Sequence, residues 1–444
     1  MDGTGETFGN VFGTVEELGS RARELALRRP DRCAVRQVGT SRLGAPLVLL
    51  TVGHGPRDVL VVAGAHANEP VGGVTALELA RRLSAGPQPP ERAGARWHFL
   101  LCLDPDGARR NEGWLRGPYD DLARYHRHSF RPHFAGQPEW LPAPGTPALP
   151  ETRALLDLLD ELRPVLQCSL HGVDIGGSWV QLTREVPGLA GPLAASAAAR
   201  GIPLELGPFD AFYWPSRERG VFLMPGPDGR ERHGVLPDDN AHSHSTWFHP
   251  HGHGTVTAVI EVPMWADDRV ADEGTAYERT LHGISARLRD QSAELAALLA
   301  SVRPVLPARS PLLEPLDEYL THADGIADLW DPDVATDSRG RDLPPLPPLN
   351  TARLASLDIA GQRVTLRAAG LLCQLLDGGD GPGPARDTVR RLVADWCGPY
   401  AARVRPVPVA AQVAHQADTV LAVFDRLAPH AVPPPQARSA IEDA

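Results

Sequence analysis

The chain contains no lysine; all 44 of its basic residues are arginines. That removes the phosphate-cradling lysine of a P-loop, the kinase lysine and the Schiff-base lysine of pyridoxal enzymes. GxGxxG, GxSxG, CxxC and HExxH are missing as well. No apolar run approaches the roughly 20 residues that a membrane helix needs. The opening residues Met1 to Glu6 have neither the basic region nor the apolar stretch of a secretory signal. Cysteine is sparse: Cys33, Cys102, Cys168, Cys373 and Cys397 are odd in number and scattered, which suits reduced thiols in a cytosol. A net charge of -11 argues against nucleic-acid partners and against a polybasic membrane patch. The expectation is a cytoplasmic protein that binds neither nucleic acid nor membrane.

What is present is globular. The composition is 42% hydrophobic and 22% charged, and 444 residues exceed one ordinary core. From about Ala45 to Val262, short apolar runs alternate with helix-like stretches. Strands are expected over Pro46–Val52, Val59–Ala63, Trp97–Leu103, Val165–Leu170, Trp179–Leu182 and Val256–Val262. This pattern predicts a three-layer α/β/α sandwich with its sheet buried on both faces. A long amphipathic helix, broken near Ala286, is expected from Glu273 to Val302. Helical patterns over Asp387–Trp396 and Val409–Leu427 follow a proline-rich spacer at residues 344–348. The division this suggests is a catalytic domain over 1–305, a mostly helical region over 306–430 that covers the site or forms a homo-oligomer contact, and a disordered tail over 431–444.

Chemistry concentrates at strand ends. His66 and Glu69 stand three apart where the Val59–Ala63 strand gives way to a helix, a spacing that lets both converge on one tetrahedral ion. His171 follows an apolar strand, and Glu261 closes another. Two histidines and a glutamate form a catalytic zinc set that leaves a fourth position for water, and a further carboxylate can take that water's proton.

In these residues the chain resembles the zinc carboxypeptidase (M14) family. The matching pieces are His66-Ala-Asn-Glu69-Pro70, the turn Asp104-Pro-Asp-Gly107, Leu170-His171-Gly172 and Ile260-Glu261, over about Ala45 to Trp265. The resemblance implies one zinc held by His66, Glu69 and His171, Glu261 as general base, and a mixed sheet. It also implies an arginine for the oxyanion and another for the substrate carboxylate. Arg109, Arg110, Arg116, Arg124, Arg127 and Arg131 fall in the right region; Arg116 is assigned to the oxyanion and Arg127 or Arg131 to the carboxylate. The family's Asn-Arg pair is absent, Asp104 stands where the family has Asn, and no tyrosine lies shortly before Glu261.

In the tyrosine's place stands a stretch with His242, His244, His249, His251 and His253. His249 and Tyr213 are assigned to substrate contact, a second metal site being the sharper alternative and a polar cover the plainer one. The substrate expected is a peptide losing its C-terminal residue. A small acyl amino acid, as in the aspartoacylase and succinylglutamate desuccinylase group, is the second reading, and a non-catalytic peptide-binding module the third.

Overall fold

The computed structural model describes residues 9–427 apart from 144, 215, 227–243, 278, 337–339, 341, 344 and 379–382. The expected tail over 431–444 and His242 lie outside the described residues. In chain order the elements are α1 (Val15–Arg28), β1 (Cys33–Thr40), β2 (Pro46–Val52), β3 (Arg57–Ala63), α2 (Val71–Ser84), α3 (Pro90–Ala93), β4 (Ala95–Leu100), α4 (Pro105–Arg110), α5 (Leu122–His128), α6 (Pro150–Leu162), β5 (Leu166–Gly176) and β6 (Trp179–Leu182). They continue with α7 (Ala190–Ala198), β7 (Ser216–Glu218), β8 (Val221–Leu223), β9 (Val256–Ala266), α8 (Arg279–Val302), α9 (Leu313–Trp330), α10 (Thr351–Asp377), α11 (Gly383–Ala401), β10 (Arg405–Pro406) and α12 (Val409–Leu427).

Ten strands among the described residues form one sheet in the order β1-β2-β4-β3-β5-β9-β6-β8-β7, with β10 on β9. Strands β4, β3, β5 and β9 are parallel to one another, whereas β1 with β2, β2 with β4, and β6 with β9 pair antiparallel. The mixed sheet covered by helices is therefore the architecture expected. Period-two alternation sets its layers. Along β3, Val59, Val61 and Ala63 join the core under α2 and α12, while Leu60 and Val62 meet Leu155, Leu158 and Leu159 of α6 on the opposite face.

Chain direction places the site. From β3 the chain passes through α2 to β4 on one side, while β5 flanks β3 on the other. Ligands collect at such a reversal, outside the carboxyl ends of the strands. Strands β5 and β9 run on past the ends expected at Leu170 and Val262, because pairs such as Val173↔Pro263 and Ile175↔Trp265 continue their ladder. Strand β3 has already stopped at Ala63, opposite Leu170. His171 and Glu261 consequently lie in mid-strand, on a ledge one step beyond the end of β3.

The C-terminal helices pack directly onto this frame. Helix α12 lies against α2 and β9, and α10 lies against α5, α8, α9 and α11. Gly370 allows the approach of α10 to α5: a Cβ there would stand 1.8 Å from the His126 carbonyl oxygen. Helix α8 is continuous through Ala286. Helix α10, 27 residues long, has no counterpart among the expected helices. Its buried positions surround the axis, so it lacks the one-sided stripe that marks a surface helix. No helix among the described residues is long and apolar enough to cross a membrane.

Candidate metal centre and active site

Gly64 turns the chain out of β3 with φ +62°, and a Cβ there would come 2.9 Å from the Cys102 sulfur. A non-glycine residue is disfavoured on both counts. The turn that follows is closed by the Glu69 N–H donating to the His66 carbonyl at 3.1 Å, which brings the two side chains together before α2 begins. His171 and Glu261 are a register pair on parallel β5 and β9, so both project from the same face. Asp104 caps α4, its carboxylate accepting from the Gly107 N–H at 3.0 Å. This is the turn-bonding role in which Asp and Asn are equivalent.

The structure gathers His66, Glu69 and His171, all buried, with ligand atoms within 4.8 Å of one another. Nδ1 of His66 lies 3.0 Å from Glu69 Oε1, Nδ1 of His171 lies 3.0 Å from Glu69 Oε2, and the two Nδ1 atoms are 3.0 Å apart. Ligand atoms on one tetrahedral zinc stand about 3.3–3.6 Å apart, given bonds of about 2.0–2.2 Å. The set fits such an ion after opening by a few tenths of an ångström. Two imidazole nitrogens and a carboxylate facing one point also match zinc in donor type.

Behind the ligands stands a residue that sequence reasoning missed. Glu139 lies in the turn before Trp140, 1% exposed, with Oε1 3.1 Å from His171 Nε2 and Oε2 3.5 Å from His66 Nε2. Oε1 accepts from the Ser169 hydroxyl at 2.7 Å and from the Trp247 indole at 2.8 Å. A carboxylate behind a histidine ligand fixes the ring's tautomer and orientation, and here one glutamate faces the outer nitrogens of both. A proline-rich loop before a tryptophan offers no pattern from which this could be read.

Burial opposes charge throughout the cluster, and the neighbours decide each outcome. Burial, helped by Arg131, lowers His66. His171 is also disfavoured as a cation by burial, yet Glu139 and Glu69 hold it well above the ordinary histidine value. Despite its burial, Glu139 is held down at about 2 by His171 and His66. Glu261 Oε1 is 3.9 Å from His171 Nδ1, and Oε2 is buried with no hydrogen-bond partner. Burial pushes its carboxyl well above the usual range, against the pull of His171.

Of the arginines assigned from sequence, the structure brings Arg131 to the cluster. Its guanidinium donates to Glu69 Oε1 at 3.3 Å and to Gln137 Oε1 at 3.0 Å, and lies 2.9 Å from His66 Nε2. Arg116 goes elsewhere: its side chain is half exposed and pairs with Glu17 of α1, so the oxyanion role assigned to it finds no geometry here. Arg127 is half-buried and turned toward the C-terminal helices, where its charge reaches Cys373 and Cys397. Tyr213 packs in the apolar cluster of α8, α9 and α10, its hydroxyl buried without a partner. His249 sits at the surface 2.9 Å from Asp160 of α6, as His253 does at 3.2 Å. Neither Tyr213 nor His249 joins the ligands. Among the described residues of the histidine-rich stretch, Trp247 reaches the site, through Glu139.

Residues 20–176 match the zinc carboxypeptidase family model of the M14 peptidases. The resemblance read from the sequence is thus shown over that segment, which holds His66, Glu69, Glu139 and His171. The match supports a metallopeptidase, hence a hydrolase, and the family implies zinc. Among solved structures, a metallo-carboxypeptidase from Burkholderia cenocepacia is 18% identical over 56% of this chain and 60% of its own, with a TM-score of 0.36. Carboxypeptidase A from Helicoverpa armigera is 17% identical over 57% of this chain and 65% of its own, with a TM-score of 0.38. The chain thus spans under two thirds of either. No curated protein matches it.

Proposed function

We propose that the protein is a zinc-dependent metallocarboxypeptidase that releases the C-terminal residue of a peptide. The observation that carries this reading is the register pair His171↔Glu261 beside His66 and Glu69: three converging ligand side chains and, on the next strand, a carboxylate outside the set. His66, Glu69 and His171 would hold the metal. Zinc, when bound, supplies Lewis acidity and lowers the pKa of water at its open position.

The remaining work falls to the chain's own groups. Glu261, with Oε2 unpartnered, accepts the proton of the attacking water and returns it to the leaving amine. Arg131 carries donors beside Glu69 and His66, where negative charge builds on the scissile carbonyl oxygen. Glu139 Oε1 holds the His171 imidazole in place, and Oε2 faces that of His66. Burial of the whole cluster excludes bulk water and strengthens each of these interactions.

The test is hydrolysis of blocked dipeptides beside acyl amino acids, with wild type and Glu261→Gln. Wild type cleaves the dipeptides, and Glu261→Gln retains its zinc while kcat falls at least about 100-fold, the usual worth of a general base. Cleavage of acyl amino acids alone would replace the carboxypeptidase reading, and an unimpaired Glu261→Gln would overturn the assignment of the base.

A further inference from the structure

None of the described residues donates a hydrogen bond to the Glu261 carboxylate. His171 Nδ1 stands 3.9 Å from Oε1, and Oε2 has no partner. Both oxygens are thus left for the proton they are to take, and the place of the carboxylate is set from the backbone. Glu261 lies in the interior of the sheet, where β6 begins to pair with β9 at Trp179↔Glu261.

Just off that end of β6 stands Ser178, whose own backbone is pinned. Its N–H donates to the Pro203 carbonyl at 2.8 Å, and its carbonyl accepts from the Glu205 N–H at 3.0 Å. The Ser178 hydroxyl donates to the Glu261 carbonyl at 2.8 Å. Behind it is a fully buried histidine that the mechanism leaves unused, His415 of α12. Nε2 of His415 is 2.7 Å from the Ser178 hydroxyl, and Nδ1 is 3.0 Å from the hydroxyl of Ser196 in α7. Ser196 Oγ receives Arg200 Nη1 at 2.9 Å, and Arg200 pairs with Asp418 at 2.6 Å.

The hydrogens of this series follow from its inner end. Ser178 gives its one hydrogen to Glu261, so it accepts from His415, whose proton is therefore on Nε2. Burial and Arg200, against Asp418, lower His415 to about 4, so the ring carries that single proton. Nδ1 is then an acceptor for the Ser196 hydroxyl. Each donor from Arg200 inward points toward the Glu261 carbonyl, and hydrogen bonds in such a line polarise one another. An imidazole suits the middle of the line because it donates at one edge and accepts at the other. Without His415, Ser196 still has Asp418 Oδ2 at 3.4 Å, whereas Ser178 loses its donor.

We propose that His415 and Ser178 are positioning residues for proton transfer: through the Glu261 carbonyl they place the carboxylate that takes the water's proton. The inference deepens the metallocarboxypeptidase reading and rests on it for the role of Glu261.

The test compares kcat per bound zinc and KM on a blocked dipeptide for wild type, Ser178→Ala, His415→Leu and His415→Gln. In Ser178→Ala and His415→Leu, kcat falls about 10- to 100-fold, as a misplacement near 1 Å does, while KM stays within about twofold and zinc content is unchanged. His415→Gln, whose amide keeps a donor toward Ser178, recovers part of kcat. Ser178→Ala, the smallest change, serves where His415→Leu fails to fold. Crystal structures of the zinc-loaded wild type and Ser178→Ala show Glu261 displaced from its place beside His171. Unchanged kcat per zinc in Ser178→Ala, with only a lower melting temperature, overturns the positioning role, as does a loss of kcat that comes with loss of zinc. Should wild type hydrolyse no peptide, the carboxypeptidase reading falls, and the two crystal structures decide alone: a displaced Glu261 upholds the placement, and a superposable one overturns it.

Discussion

His66 and His171 meet carboxylates inside the protein; His249 and His253 meet one on its surface. The side-chain chemistry is the same and the distances are alike, 3.0 Å to Glu69 against 2.9 and 3.2 Å to Asp160. The surroundings differ. The first pair sits at the sheet's carboxyl edge, backed by Glu139, in an interior where water cannot compete for the nitrogen lone pairs. The second pair brackets a carboxylate whose side chain is 55% exposed, where a hydrated alternative is always at hand. Local density of histidine pointed to the second group, and strand-end position pointed to the first. Position defines the site: it brings residues from three strands to one spot and dries it.

The largest effect in this contrast belongs to Glu139. Glu139→Gln removes the carboxylate charge and replaces one of the two oxygens that face the imidazoles with an NH2 that cannot accept, and zinc affinity should fall about 10- to 100-fold, as losses of a partner behind a ligand usually do. Competition with a chromogenic chelator measures it. Unchanged affinity would mean that the buried group is no better supported than the exposed one.

Support also comes from the C-terminal helices. Gln416 of α12 donates to the carbonyls of His171 and Ile260 at 2.8 and 3.1 Å, bridging the strands that carry His171 and Glu261. Ser178 donates to the Glu261 carbonyl at 2.8 Å, and His415 Nε2 lies 2.7 Å from that hydroxyl. Gln416→Leu leaves the two buried carbonyls short of a donor and should cost about 1–3 kcal/mol, read from denaturant unfolding. Loss of much less would show that α12 only covers the strands.

The same contrast between buried and exposed applies to carboxylates and sets opposite pH dependences. Burial pushes Glu205 up to about 7, against the Gly177 N–H and the Ser356 hydroxyl. The folded protein therefore binds this proton more tightly than the unfolded chain. The contribution is complete below about pH 4.5 and is lost as pH rises through about 7, on the order of 3 kcal/mol in all. Glu205→Gln should flatten the stability profile over that window. Asp160 is held below its ordinary value by His249 and His253, although its slight burial works the other way. Its contribution is present above about pH 4 and is lost on acidification. Because the pair is exposed, Asp160→Ala should move stability at neutral pH by less than about 1 kcal/mol.

How much of this was legible from residues alone follows the same division. The convergence of His66, Glu69, His171 and Glu261 could be read because each lies in a short motif hung on an apolar strand. The central strands were legible through their apolar runs, to within the extra residues that the β5–β9 ladder adds. Arg116 was misassigned because six arginines share one loop, and spacing cannot say which turns inward. Glu139 was invisible because its role depends on the indole of Trp247, more than a hundred residues away in the chain. Arg363, Arg367 and Gln416 sit on helices whose sequences look like ordinary structure, and only tertiary packing carries them to β5 and β9.

The central claim is that the buried histidines, and not the exposed ones, make the metal centre. Elemental analysis of zinc in wild type, His66→Ala, His171→Ala and the double variant His249→Ala/His253→Ala tests it most directly. The account predicts one zinc per chain in wild type and in the surface double variant, and none in either buried variant. Zinc retained by both His66→Ala and His171→Ala, or lost from the surface double variant, would contradict it.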